Sequence, residues 1–397
     1  MNILFITPYL PSETSGHAGA QLIYRNVRAL SKFNKITIAS FIDQYENQMS
    51  QKLSSLGIDV HTIKYPRNQK SISGKILSGF RNIKPVISYI LGKEPFFIAK
   101  YYKAAMNELI AKLTSSNSFD LIQVEYNVMH HYTNLFDHTK SLIVFHDVST
   151  KMYESGALVG NKSNKRLFQL AKKVESNIAN KFDSVVVLTE EDKHYLLKLG
   201  CNKDIHIIPP QIKKIEKLRS NKVENSICFI GSFNREPNIN AIEIFIDSIF
   251  PNLDKKITFN IAGKGLPNNI ISKISIYDKI NYLGFIDDID SFLASQMLMV
   301  APINIGSGLK MKIPHSLSCG TPVITTSIGG EGINVNKDAG LVKSEINYFA
   351  KEINELMNDQ KTLIKMGEYG KNEVNSLFSE QIITEKFQTL YKSIVKI

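Results

Sequence analysis

Short apolar runs recur along the whole chain, separated by longer stretches with apolar residues at helical spacing. In the first half the runs Ile3–Thr7, Ile36–Phe41, Val60–Ile63, Leu121–Val124, Leu142–Phe145, Val185–Thr189 and Ile205–Ile208 read as strands. In the second half the same reading covers Ile227–Ile230, Ile257–Ala262, Ile280–Leu283, Leu298–Pro302, Val323–Thr326 and Gly340–Val342. Strands apolar at successive positions are buried on both faces, and their alternation with helices predicts parallel sheets in an α/β architecture. The run Pro209–Asn225 breaks the rhythm with Pro209-Pro210 and many polar residues, which predicts a linker over 209–225. The alternation then restarts. The expectation is a Rossmann-like domain over 1–208, a second over 226–375 and an amphipathic C-terminal helix over 376–397. No short repeat is visible, and no apolar run approaches the roughly 18 residues needed to span a bilayer.

Ligands in open α/β sheets bind beyond the carboxyl ends of strands. Unusual residues gather at those ends. Gly16, His17 and Gly19 follow the first strand, and His146 and Asp147 follow Leu142–Phe145. Gly231 and Ser232 follow Ile227–Ile230, Gly263-Lys264-Gly265 follows Ile257–Ala262, and Gly306-Ser307-Gly308 follows Leu298–Pro302. All can line one cleft between the two domains.

The densest group lies within Pro302–Ile333. The glycines Gly306 and Gly308 let the backbone approach a ligand, Lys310 and Lys312 bring positive charge, and a helix begins near Pro314. This layout predicts a phosphate-bearing ligand. In the first helical turn His315 should be neutral, because the dipole disfavours a cation there. A neutral imidazole donates and accepts, as a ribose diol requires. The Gly16–Gly19 turn reads as a substrate loop or a tight loop; it is not a GxGxxG fingerprint. Gly263-Lys264-Gly265 is a ligand loop or a plain strand-to-helix turn. His146 is either a hydrogen-bonded structural residue or a sugar ligand, with Asp147 able to orient it.

No HExxH, Walker A, GxSxG or zinc spacing occurs. Asp288-Ile289-Asp290 reads as a helix start capped by Asp287 or Asp288, so no essential metal is expected. Three widely spaced cysteines, Cys201, Cys228 and Cys319, suit a reducing cytoplasm. The start NILFITPYL lacks a basic leader and reads as a strand, which predicts a cytoplasmic protein without a signal peptide.

The net charge is +11, and +8 of it falls between Lys64 and Lys112, where ten basic residues face only Glu94 and Glu108. Aromatic and aliphatic residues are interleaved with them. The segment 64–112 reads as a solvated basic insertion or as a contact for an anionic membrane surface, on the inner face of the membrane. A nucleic-acid partner is not expected, since no reading helix or RNA motif is present.

The pattern resembles the retaining GT-B glycosyltransferases, in particular the family 4 type. The passages PYLPSETSGHAGAQLIYRNVRALSKFNKITIAS, FHDVST and KFDSVVVLTEEDKHYL carry the resemblance in the first half. In the second half GSFNREPNINAI, IAGKG, YLGFIDDIDSFL and GSGLKMKIPHSLSCGTPVITTSIGGEGI follow in the family's order. The resemblance implies two Rossmann-like domains and a nucleotide-diphosphate sugar as donor, with no separate cofactor. It places Gly16, Gly19, Ser232, Gly263, Lys264, Gly306, Ser307, Gly308 and His315 around the donor. It assigns catalysis to His146, Lys310 and Lys312, and the acceptor, a glycan or lipid-linked, to His17 and Asp147. The sequence departs from the family in two places. Ser307 and His315 stand where two glutamates are usual, and Pro209-Pro210-Gln211 replaces an Asn-Gly pair. The first departure motivates an alternative, a GT-B-fold protein that binds nucleotide or glycan without turnover.

Overall fold

The computed structural model describes residues 1–15, 17–43, 46–65, 83–136, 138–158, 162–215, 221–306 and 308–396. It divides into two units, Met1–Gln211 with Glu380–Ile397, and Ile212–Ser379. The first unit holds β1 (Asn2–Thr7), β2 (Lys35–Ile42), β3 (Asp59–Lys64), β4 (Leu121–Glu125), β5 (Lys140–Phe145), β6 (Ser184–Val187) and β7 (Ile205–Ile207). They form one parallel sheet in the order β3-β2-β1-β4-β5-β6-β7. The second unit holds β8 (Ser226–Ile230), β9 (Thr258–Ala262), β10 (Ile280–Gly284), β11 (Leu298–Ala301), β12 (Val323–Thr325) and β13 (Leu341–Lys343). Their order is β10-β9-β8-β11-β12-β13, again parallel. Every strand anticipated from the apolar runs is present. The run at Val185–Thr189 ends as a strand at Val187, because the Thr189 hydroxyl turns to accept from Asp192 N at 3.0 Å and caps the helix Glu190–Lys198.

Each sheet is doubly wound. The chain builds one side, returns to the centre and builds the other. The returns place β4 beside β1 and β11 beside β8. At these switch points successive connections leave on opposite faces, so a crevice opens beyond the strand ends. The strands are apolar at successive positions because both faces are covered. Along β1, Leu4 and Ile6 enter one core layer while Ile3 and Phe5 enter the other.

The helix Glu380–Val395 returns to the first unit after the chain has built the second. Its Ile383, Phe387, Leu390 and Tyr391 join the layer of Ile3 and Phe5. Glu380 at its start lies 2.6 Å from both Arg28 and Lys32. Parts of the 209–225 stretch are packed, although Lys213, Lys214, Val223 and Glu224 are exposed. Ile212 and Ile215 belong to the second unit's core. Lys222 Nζ donates to the carbonyls of Gln296 and Gly320 and to Thr321 Oγ1, at 2.7, 2.9 and 2.9 Å. Residues 216–220 lie outside the described residues. Among the described residues no helix is long and apolar enough to cross a membrane.

Candidate active site

In the second unit, β8 ends at Ile230 and the chain passes through Gly231 and Ser232 into the helix Glu236–Ile244. Asn238 reaches back from that helix. Its Nδ2 donates to the Ser232 carbonyl at 2.8 Å, which leaves Oδ1 to accept from Lys312 Nζ at 2.6 Å. Lys312 opens the helix Lys312–Ser318, two residues earlier than the expected start at Pro314. Its ammonium lies 4.0 Å from the centre of the Phe229 ring. A side chain on Gly231 would stand 3.1 Å from that ammonium and 2.9 Å from Asn238 Nδ2, so glycine there admits the lysine. Burial first, and Arg235 second, push the Lys312 ammonium down to about 7. Among the described residues it makes no ion pair with a carboxylate. A buried cation without a counterion is costly unless an anion arrives from outside.

Lys310 is held differently. Its Nζ donates to the Gly308 carbonyl at 2.7 Å and lies 3.5 Å from Glu331 Oε2, with both side chains nearly buried. Gly306 and Gly308 have φ of 123° and 72°, a region that glycine enters without strain. Ser307 lies outside the described residues. Glu331 comes from the loop Gly329-Gly330-Glu331-Gly332 beyond β12, where Gly329 N donates to Thr326 Oγ1 at 2.9 Å. Neither Glu331 nor Asn238 was among the residues singled out from sequence. The available signal was weak, a glycine-rich turn after β12 and an asparagine in the first turn after β8.

His315 donates from Nε2 to Asp290 Oδ1 at 2.7 Å, and Lys213 donates to Asp290 Oδ2 at 2.9 Å. The His315 hydrogen bond, with Lys213 behind it, holds the Asp290 carboxyl well below the usual range. With Nε2 committed as the donor to Asp290, Nδ1 is the ring nitrogen left for a ligand. Asp288 caps the helix Ile289–Ser295 by accepting from Ser291 N at 3.1 Å, as its spelling anticipated. Gly263, with φ of 140°, allows backbone to approach backbone, since a Cβ there would stand 1.7 Å from the Gly231 carbonyl oxygen. Ser232 Oγ donates to Asn234 Oδ1 at 2.7 Å. Lys264 is exposed and sits 4.1 Å over the Phe285 ring, apart from the Lys312 group.

In the first unit the residues converge where β1 and β4 end. Tyr9 stacks on His17 with ring centres 3.8 Å apart and meets Tyr126 edge-on at 5.7 Å. His17 Nδ1 accepts from Gly19 N at 3.2 Å and caps the helix Ala18–Leu30. Gly16 lies outside the described residues. A Cβ on Gly19 would fall 1.7 Å from the Tyr126 phenol oxygen, so the tyrosine occupies the space glycine leaves. Tyr126 leaves β4 with φ of 70° and lies flat on His146, at 3.8 Å and 7°. A non-glycine residue held there stores strain of a kind that clusters at functional sites.

His146 donates from Nε2 to Glu125 Oε2 at 2.6 Å, and Glu125 Oε1 accepts from Gln123 Nε2 at 2.6 Å. Tyr391 of the C-terminal helix donates to Gln123 Oε1. Glu125 and Gln123 are fully buried. Asp147 does not orient the histidine as anticipated. It is exposed, because the chain has left β5 and turned toward the helix Ser149–Leu158. The buried carboxylate of Glu175 pins that turn by accepting from Ser149 N at 2.9 Å and Thr150 N at 2.8 Å.

Gly19→Ala should lower stability by about 1–3 kcal/mol through overpacking against Tyr126. In a Tyr126→Ala background the same change should cost almost nothing. Denaturant unfolding of the four proteins in the cycle checks this, and equal costs in both backgrounds would refute the contact.

Residues 224–359 match the family described as Glycosyl transferases group 1. The chain is 22% identical over 313 residues to an uncharacterized 44.6 kDa protein in the cps region of Klebsiella pneumoniae, covering 73% of each. It is 33% identical over 78 residues to the capsular polysaccharide biosynthesis glycosyltransferase CapM of Staphylococcus aureus, covering 19% of this chain and 20% of CapM. The solved structure of Anabaena HepE in complex with UDP and glucose superposes with a TM-score of 0.67 at 14% identity, covering 99% of this chain and 100% of HepE. The chain thus has the GT-B fold of two Rossmann-like units, and residues 224–359 of its second unit are similar to the glycosyl transferases group 1 family.

Proposed function

We propose that the protein is a retaining glycosyltransferase that moves a sugar from a nucleoside diphosphate donor to a glycan or lipid-linked acceptor in bacterial surface polysaccharide or glycoconjugate synthesis. Lys312 carries the reading. Its partly buried ammonium is positioned by Asn238 and Phe229 and pairs with no carboxylate among the described residues. A diphosphate beside the Gly306–Gly308 turn supplies the missing anion. HepE, of the same fold, holds UDP and glucose, which supports a donor of this class.

In the reaction the bond from the sugar's anomeric carbon to the diphosphate oxygen breaks, and the electron pair stays on the leaving diphosphate. The acceptor hydroxyl bonds to that carbon from the same face and passes its proton to the departing diphosphate oxygen. Charge grows on the diphosphate as the bond lengthens, and Lys312, with Lys310 beside it, meets that charge without a metal ion. His146, fixed by Glu125, contacts the transferred sugar. Gly16, Gly19, Ser232, Gly263 and Lys264 line the donor, and His17 and Asp147 face the acceptor. His315 offers Nδ1 to the donor ribose.

The alternative, binding without turnover, draws on His315 standing in a glutamate's place. The Asp290 and Lys213 contacts favour an adapted ligand over a decayed one. Calorimetry and hydrolysis assays across UDP, GDP and dTDP sugars test the reading. At least one donor should bind and be slowly hydrolysed. His315→Glu should weaken binding, since it sets a second carboxylate against Asp290. No binding of any donor would overturn the proposal, and a gain of activity in His315→Glu would favour the non-catalytic alternative.

A further inference from the structure

The helix Ile83–Ile90 turns its apolar face outward. Ile83, Val86, Ile87, Ile90 and the following Leu91 are 53, 41, 48, 62 and 61% exposed. Their spacing of three, four, seven and eight residues from Ile83 puts them on one side of the helix. A helix in a folded domain normally buries that side. Here the helix is pinned by its other side. Pro85 is buried, and Arg166 from the helix Lys162–Ala179 donates to the carbonyls of Tyr89 and Ile90, at 3.0 Å each. The Arg166 guanidinium also lies 4.6 Å over the Tyr89 ring. The ridge is therefore displayed by a fixed element.

The exposed charged residues on this helix, on the turn that follows it and at its Arg166 contact are basic: Lys84, Lys93 and Arg166. The nearby acid, Glu94, is turned inward, with its two oxygens 2.8 Å from His130 Nε2 and 3.0 Å from His131 Nε2. Both histidines are nearly buried, so the carboxylate is spent inside the fold. The surrounding sequence, 64–112, carries ten basic residues against two acidic ones, although residues 66–82 lie outside the described residues. The aromatic residues expected at this surface are partly internal. Tyr101 is buried, and its hydroxyl lies 3.2 Å from that of Tyr9. Aliphatic side chains form the exposed ridge instead.

We propose that this ridge is where the protein docks on an anionic lipid bilayer, with the aliphatic side chains in the interfacial zone and the cations at the headgroups. An apolar strip bordered by lysine and arginine, its nearby Glu94 turned inward, matches the chemistry of such a surface. The inference deepens the reading above and rests on it for its purpose, which is to meet a lipid-linked acceptor where it resides.

Co-sedimentation tests it with two vesicle types, pure phosphatidylcholine and phosphatidylcholine with about one third phosphatidylglycerol. The full-length protein should pellet with the anionic vesicles and far less with the neutral ones. Ile87→Asn with Ile90→Asn should weaken that binding about tenfold or more. Lys84→Glu with Lys93→Glu should remove the preference for anionic vesicles. Melting temperature and nucleoside diphosphate affinity should be unchanged in both pairs. Wild-type protein that ignores anionic vesicles yet binds nucleotide would overturn the docking site and leave the enzymatic reading standing. Vesicle binding with no nucleotide binding would do the reverse. Binding retained by Ile87→Asn with Ile90→Asn would overturn the ridge, as would a dimer that this pair dissolves while vesicles remain unbound.

Discussion

Lys312→Met should lower the transfer rate by about 10²–10³-fold while leaving the melting temperature the same or higher. Both halves follow from one arrangement. The ammonium is partly buried beside Phe229 and Asn238 with no carboxylate among the described residues, so folding the free protein bears a cost of desolvating it. Methionine fills similar space without the charge. The leaving diphosphate would then develop its charge with only Lys310, already engaged by Gly308 and Glu331, to meet it. A variant that loses stability together with activity would mean that the lysine supports the fold. The pH dependence adds an independent check. The free protein holds Lys312 charged below about 7 and neutral above it. Diphosphate binding needs the charged form, so affinity should be highest on the acid side and fall as pH rises through about 7. The stability of the free protein should move the other way. The unfolded lysine keeps its proton to about 10.4, so stability rises with pH between those values. Nucleotide titrations and unfolding curves between pH 6 and about 9 read both slopes.

Glu125→Ala should cost about 2–5 kcal/mol of stability, because a buried donor left without its acceptor costs about 1–3 kcal/mol and two are stranded. The carboxylate is fully buried and both oxygens are used. Removing it strands the Nε2–H of His146 and the Nε2–H of Gln123 together, and the Gln123 amide that accepts from Tyr391 of the C-terminal helix loses its other anchor. Glu125→Gln separates positioning from folding. An amide of the same shape can accept one of the two incoming hydrogens but presents its own N–H to the other. His146 would then have to change tautomer or tilt away from Tyr126. The expected result is a folded protein with a rate down by more than about tenfold and an altered pH profile, as when a histidine loses its orienting carboxylate. Near-normal activity in Glu125→Gln would leave Glu125 a structural residue only.

Thirteen strands were legible in the chain because burial on both faces writes itself as an unbroken apolar run. The glycines at 306 and 308, the lysines after them and the histidine ending β5 were legible for a related reason: few residue types can occupy those positions. The partners were not. Glu125 lies 21 residues before His146, Asn238 lies 74 before Lys312 and Glu331 lies 21 after Lys310. Nothing local marks such pairs, and Asp147, the neighbour in sequence, was the wrong choice for His146. The fully buried Glu125 hides within an apolar strand, where a carboxylate reads as an exception to the pattern.

By itself the sequence determined the alternation of elements, and through it the parallel sheets and the strand ends where chemistry could collect, since these follow from local periodicity. Which strand ends adjoin was decided by the tertiary structure, through winding that places β4 beside β1 and β11 beside β8. So were the different partners of two nearby lysines, Lys310 set against Glu331 and Lys312 held by Asn238. The helix Ile83–Ile90 shows the same limit. Its apolar spacing is local, but the side that faces outward was set by Pro85 and Arg166, because burial depends on what packs against a helix and not on the helix alone.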